Sequence, residues 1–197
     1  MKRYFGTLRY YLSMAGSRPV LGIVAGPRCS GNTAALVEEV LRGAGDAGRE
    51  TGLLCLGKLA IGPLVESSGG EPFGVTGPED DMLGIFRSLE GMGAFVFGSP
   101  IYYDHISART KTFIDRLIYY NDKKDRFPGG IPAVLAITYE WNKATAYDDV
   151  MDWMVERFEH YFKMEVVGKL VAEGTSRTPV SDRPELLEKA YEAGRLL

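Results

Sequence analysis

The segment from Val20 to Thr33 constrains this chain more than any other: an apolar run, Val20-Leu21-Gly22-Ile23-Val24-Ala25, stops at the Gly-rich turn Gly26-Pro27-Arg28-Cys29-Ser30-Gly31 and gives way to helical spacing. A buried strand that ends in small residues and runs straight into a helix lets the backbone approach an anion. The first free N–H groups of the helix then point at that anion. The pattern predicts a strand, a phosphate cradle and a helix in immediate succession.

The rest of the chain repeats the alternation. A helix is expected over about 31–44, with Leu36, Val37, Val40 and Leu41 on one face and Gly43, Gly45 and Gly48 marking its end. Thr51 to Leu56 reads as a second strand, which completes a unit of the length a parallel pair needs. Residues 57–78 are rich in Gly, Pro, Ser and Thr and too long for an ordinary connector, so a lid, an interface arm or a poorly ordered segment is expected there. Asp80-Asp81 opens a helix carrying Met82, Ile85, Phe86 and Leu89, and Ala94 to Phe97 is a third strand, ended by Gly98-Ser99-Pro100. A helix from Ser107 to about Tyr120, strands at 131–138 and 166–172, a helix over about 144–162 and a last helix from about Arg183 complete the pattern. Strands and helices in alternation predict an open α/β sheet with helices on both faces. Residues 1–19 form a basic, aromatic N-terminal arm, and 20–197 the domain proper.

Composition narrows the function. With 197 residues, 45% hydrophobic and 25% charged, the chain has room for one well-buried core. A formal charge of −3 disfavours a nucleic-acid surface, which requires clustered Lys and Arg. The longest apolar runs fall short of the ~20 residues a membrane helix needs, and the N-terminal arm lacks the apolar centre of a signal peptide, so a cytoplasmic location is expected. The two cysteines, Cys29 and Cys55, match no metal or redox spacing, and neither a disulfide framework nor a zinc site is expected. Cys29 is either a small residue that fits the loop or a thiol activated at a helix N-terminus. The pairs Glu38-Glu39 and Asp80-Asp81 read as solvated faces or helix-start charge.

Ligands of such sheets bind beyond the carboxyl ends of the strands. The loops after strands one, three and four, at 26–33, 98–106 and 139–142, are therefore expected to converge. Glycines at 22, 26 and 31 fail the dinucleotide spacing G-x-G-x-x-G. Residues 26–33 match G-x-x-x-x-G-K-[ST] except that Asn32 stands in place of the lysine, which disfavours a nucleoside triphosphate. A single terminal phosphate suits the turn, and Pro100, Ile101, Tyr102 and Tyr103 offer a flat, partly apolar surface for a planar ring. His105 lies beside that surface, and His160 sits on a helix among Phe158, Tyr161 and Phe162.

Together these turns, with the helix from Ser107 to Arg116, resemble the flavodoxin-like NADPH-dependent FMN reductase and iron–sulfur flavoprotein family. The resemblance is strong over about 20–116 and weaker beyond. It implies a doubly wound five-stranded parallel sheet of order 2-1-3-4-5. It further implies that Gly26, Pro27 and Gly31 belong to the family's cofactor-binding phosphate loop, with Gly26 where the family often has Ser, and that Arg28, Ser30, Asn32 and Thr33 hold the FMN phosphate. Pro100, Ile101, Tyr102, Tyr103 and Ser107 would border the isoalloxazine, and Tyr139, Glu140 and Trp141 would supply the third loop. Iron–sulfur flavoproteins carry a compact cysteine motif after strand two; residues 61–76 here contain no cysteine, so no cluster is expected. The implied function is transfer of hydride and electrons from NAD(P)H through FMN to a quinone or other small acceptor, by a homodimer or higher homo-oligomer, with no protein acid or base required. An FMN-binding electron carrier for protein partners, or a non-catalytic flavodoxin-like binding protein, are the alternatives.

Overall fold

The computed structural model describes residues 18–64, 80–120 and 129–197. The N-terminal arm up to residue 17, residues 65–79 of the long predicted loop, and 121–128 lie outside the described residues. In the sheet β1 (Val20–Val24), buried at every position, lies between β2 (Thr51–Cys55) and the central strand β3 (Ala94–Tyr102). Beyond β3 lie β5 (Pro132–Thr138) and β6 (Glu165–Ala172), all in parallel register. The order β2-β1-β3-β5-β6 is the predicted 2-1-3-4-5 once the extra two-residue strand β4 (His105–Ile106), antiparallel to β3, is counted. Continuous burial of β1, β3 and β5 reflects cover on both faces, whereas the edge strands β2 and β6 mix exposed and buried positions.

Alternation along β1 sends Val20 and Val24 to one face and Leu21 and Ile23 to the other. The first face is covered by α1 (Asn32–Asp46) and α5 (Pro184–Arg195). The second is covered by α2 (Met82–Glu90), α3 (Ala108–Arg116) and α4 (Asp148–His160), through Ile85, Phe86, Phe113, Met154 and Phe158. Among the described residues no helix is long and apolar enough to cross a membrane.

Several boundaries differ from the sequence reading for identifiable reasons. Helix α1 passes straight through Gly43, which is a packing position and not a stop: a Cβ there would lie 2.0 Å from the Tyr191 carbonyl oxygen of α5. Strand β3 continues through Gly98-Ser99-Pro100 to Tyr102, pairing with Ala136, Ile137 and Thr138. Proline is tolerated there because the Gly98 carbonyl accepts from Ala25, the residue after β1. Two residues on, Pro100 therefore turns its nitrogen to the side where β1 has already ended. Helix α3 stops at Arg116 and a 3-10 turn, Leu117–Tyr120, carries the rest of the predicted segment. Helix α4 begins four residues later than predicted, since the Tyr139 hydroxyl donates to the carbonyls of Lys143 and Ala144 and holds them in the loop.

The Asp80-Asp81 pair is not a solvated face. The Asp80 side chain is buried against the more deeply buried Arg116, and its carboxylate also accepts from the backbone N–H groups of Met82 and Gly62. Asp81 accepts from Ala60 N–H at 2.7 Å, so both acids tie the segment after β2 to the start of α2.

Candidate functional site

Helix α1 starts at Asn32 with no side-chain cap, behind Gly31 at φ 107°, a conformation open to glycine and strained for other residues. Its first backbone bond runs from Ala35 N–H to the Gly31 carbonyl. The N–H groups of Asn32, Thr33 and Ala34 therefore have no acceptor among the described residues, which is the arrangement that attracts an anion. Arg28 is exposed beside them, with no ion-pair partner among the described residues. Thr33 is fixed by a 2.7 Å bond between its hydroxyl and that of Thr138 at the end of β5. Asn32 accepts the Val180 N–H through Oδ1, which leaves its amide nitrogen as the end able to donate.

Cys29 and Cys55 are disulfide-bonded, contrary to expectation. A separation of 26 residues carries no motif, but the parallel register places Cys55 beside Val24 at the end of β1, and the turn that follows β1 brings Cys29 back to it with Cα atoms 5.5 Å apart.

The second wall comes from β3 and its hairpin. Tyr102 pairs with His105, and the two residues between them, Tyr103 and Asp104, both have positive φ, 47° and 64°. That is a type I′ hairpin turn, which ordinarily selects Asn-Gly, so a Tyr and an Asp there cost about 1–2 kcal/mol each. Tyr103 is fully exposed. The Asp104 carboxylate accepts from the Tyr147 hydroxyl at 2.6 Å, and this bond, aided by burial, pushes the phenol up to about 12. A folded-state value above the usual 10 means stabilisation that is complete below pH 10 and lost as pH rises through about 12. Tyr147→Phe is expected to cost about 1.5 kcal/mol at pH 7–9, the difference vanishing toward pH 12, and to remove one high-titrating phenol from the tyrosinate absorbance curve.

Tyr139, Glu140 and Trp141 form the third wall. Burial, with Glu173 nearby, raises the Tyr139 phenol, whose ring meets Tyr147 edge-on at 4.7 Å. Trp141 stands half-exposed at 6.2 Å from Tyr147. The Thr175 hydroxyl donates to the Tyr139 carbonyl, bringing the loop after β6 into the same place.

These walls enclose an open cavity of about 890 Å³. All the residues predicted for the site line it except Gly31 and Ser107. Ser107 instead caps α3 by accepting from Thr110 N–H, and its buried hydroxyl joins those of Ser99 and Thr110 in anchoring α3 to the Ala25 carbonyl. It positions the wall and does not face the cavity. Ala108, Thr138, Tyr147, Thr175 and Ser176 also line the cavity and were not expected. Thr175 and Ser176 follow β6, whose carboxyl end the rule for open sheets already includes. Neither histidine takes part: His105 packs edge-on against Trp153 and His160 against Tyr161.

Residues 19–177 match the sequence profile of the family described as NADPH-dependent FMN reductase. An iron–sulfur flavoprotein of Methanocaldococcus jannaschii is 31% identical over 97 residues, 49% of this chain and 50% of that protein. Another, from Archaeoglobus fulgidus, is 28% identical over 114 residues, 56% of this chain and 52% of that protein. The chain thus spans about half the length of the curated relatives it matches. Among solved structures, the NAD(P)H:quinone oxidoreductase of Methanothermobacter marburgensis superposes with a TM-score of 0.68 at 17% identity, over 91% of this chain and 96% of that one. At that identity the likeness speaks for the fold.

Proposed function

The chain belongs to the NADPH-dependent FMN reductase family, and on that premise we propose that it is a cytoplasmic, homo-oligomeric flavin oxidoreductase that passes electrons from NAD(P)H through FMN to a quinone or another small acceptor. The observation that carries this reading is the union, in one cavity, of an uncapped helix N-terminus with Arg28 at one end and a set of aromatic side chains at the other. A volume near 890 Å³ lies in the range of pockets that hold ligands of this size. Gly26 lets the turn pack close against β3, since a Cβ there would stand 3.0 Å from the Pro100 ring.

Bound FMN supplies the hydride and single-electron chemistry. Arg28, the Ser30 hydroxyl, the Asn32 amide and the free N–H groups of α1 would hold its phosphate. Pro100, Ile101, Tyr102, Tyr103 and Trp141 would border its ring. That chemistry needs no protein acid or base. The curated relatives are named as iron–sulfur flavoproteins. A cluster takes four thiolates, and the two cysteines of this chain are bonded to one another.

The purified protein is expected to be yellow or to take up added FMN, and to bleach on anaerobic addition of NADPH. Colourless protein that ignores FMN would overturn the reading, and bound flavin that NADPH leaves oxidised would remove the nicotinamide donor. Ser30→Ala is expected to weaken FMN binding about tenfold, through loss of one charge-assisted hydrogen bond of about 1.5 kcal/mol, measured by fluorescence titration.

A further inference from the structure

Cys29 stands between Arg28 and Ser30, two residues of the cavity wall, and its sulfur is bonded to the last residue of β2. Both cysteines are partly exposed. The bond pins the middle of the turn to the sheet edge, whereas Ser30 and Gly31 have no backbone hydrogen bond to β2. In the oxidised state the turn is thus held ready for an anion, and the sulfur is neutral. In the reduced state the tether is gone, and the turn must be ordered again each time the anion binds, which weakens binding.

We propose that Cys29–Cys55 is a reversible thiol–disulfide exchange site that sets the affinity of the phosphate cradle, tight when oxidised and weak when reduced. The inference rests on the assignment of the 26–33 turn to a phosphate. The reactant is a dithiol: one of its thiolates attacks one protein sulfur to give a mixed disulfide and expels the other cysteine as its thiolate, and its second thiol then attacks the reductant's own sulfur and releases the first cysteine. Two protein thiols form, and the reductant leaves as a disulfide, with two electrons and two protons transferred to the pair. Reciprocity then requires that phosphate binding make the disulfide harder to reduce by the same factor, a tenfold preference corresponding to about 30 mV.

The test uses the full chain, stripped of cofactor and poised in a series of dithiol and disulfide buffers, then alkylated and weighed by mass spectrometry. It is run alone, with FMN and with inorganic phosphate, and FMN affinity is measured on the fully oxidised and fully reduced protein. The expected results are at least tenfold weaker FMN binding by reduced protein, a midpoint about 30 mV more negative with FMN, and a Cys55→Ser variant whose affinity ignores reductant. Equal affinities in both states, a midpoint moved by neither ligand, or free thiols in oxidised protein would overturn the proposal. If FMN binds neither state while phosphate still shifts the midpoint, the exchange site stands and the flavin reading falls.

Discussion

Asp80→Asn is expected to lower the folding stability by about 3–5 kcal/mol at pH 7, the cost of removing one partner from a buried ion pair. The Arg116 side chain is 2% exposed and that of Asp80 7%, so water cannot replace what the substitution removes. The carboxylate does three jobs at once: it faces the guanidinium, accepts the Met82 N–H at the start of α2 at 3.0 Å, and accepts the Gly62 N–H at 3.3 Å. Asparagine keeps the shape and one acceptor oxygen but loses the charge. The pH dependence has a definite sign. Burial by itself pushes the Asp80 carboxyl up, but the bonds from Arg116, Met82 and Gly62 overcome it and hold the group below the usual carboxylate range. Its stabilisation is therefore complete above pH ~4 and lost as pH falls through the lowered folded-state value. Urea denaturation at pH 7 and at steps below pH 4 should show the gap between wild type and Asp80→Asn closing as pH falls. A difference under about 1 kcal/mol at pH 7, or one that widens in acid, would show that the pair is not the anchor described.

What the sequence made legible follows the range over which each signal acts. The strand, turn and helix over 20–46, the parallel order and the three convergent loops are written in apolar spacing and glycine placement, which are local. Ser107 was legible as the start of a helix, yet its partners Ser99 and the Ala25 carbonyl come from other segments, so its turning away from the cavity was not. The Cys29–Cys55 bond depends on the register of β1 against β2, a pairing that no spacing between two cysteines encodes. Asp80 looked like helix-start charge and does accept from the first turn of α2, but the residue that buries it, Arg116, lies 36 positions away on α3. Pro100 was read as a strand end because a proline breaks a ladder. Whether it does depends on which side its nitrogen faces, and that is set by where β1 stops.

Gly57→Ala is expected to weaken FMN binding at least about 100-fold while leaving the sheet intact. A Cβ on Gly57 would lie 2.2 Å from the Pro27 carbonyl oxygen, 2.7 Å from its carbon and 3.2 Å from the Gly26 oxygen. All three are backbone atoms of the phosphate turn, so no side chain can rotate away. One of the two segments must move, and the 56–58 side is the better held: Arg109 donates to the carbonyls of Leu56 at 2.9 Å and Leu59 at 3.3 Å, and Leu56 is fully buried. The turn at 26–29 has no such anchor beyond the disulfide, which ties Cys29 to Cys55 and not Pro27 to anything. Displacing the turn misaligns more than one donor at a time, and two charge-assisted bonds at about 1.5–3 kcal/mol each account for the expected loss. The stability cost is smaller, about 1–3 kcal/mol for overpacking at one surface contact. Gly45→Ala is the matched control, because its Cβ meets nothing nearer than a Thr51 methyl at 4.0 Å, and it should leave affinity unchanged. Fluorescence titration with FMN, beside thermal melts of the three proteins, measures both effects. Affinity within a fewfold of wild type in Gly57→Ala would mean that the 56–58 segment yields and the turn does not depend on it.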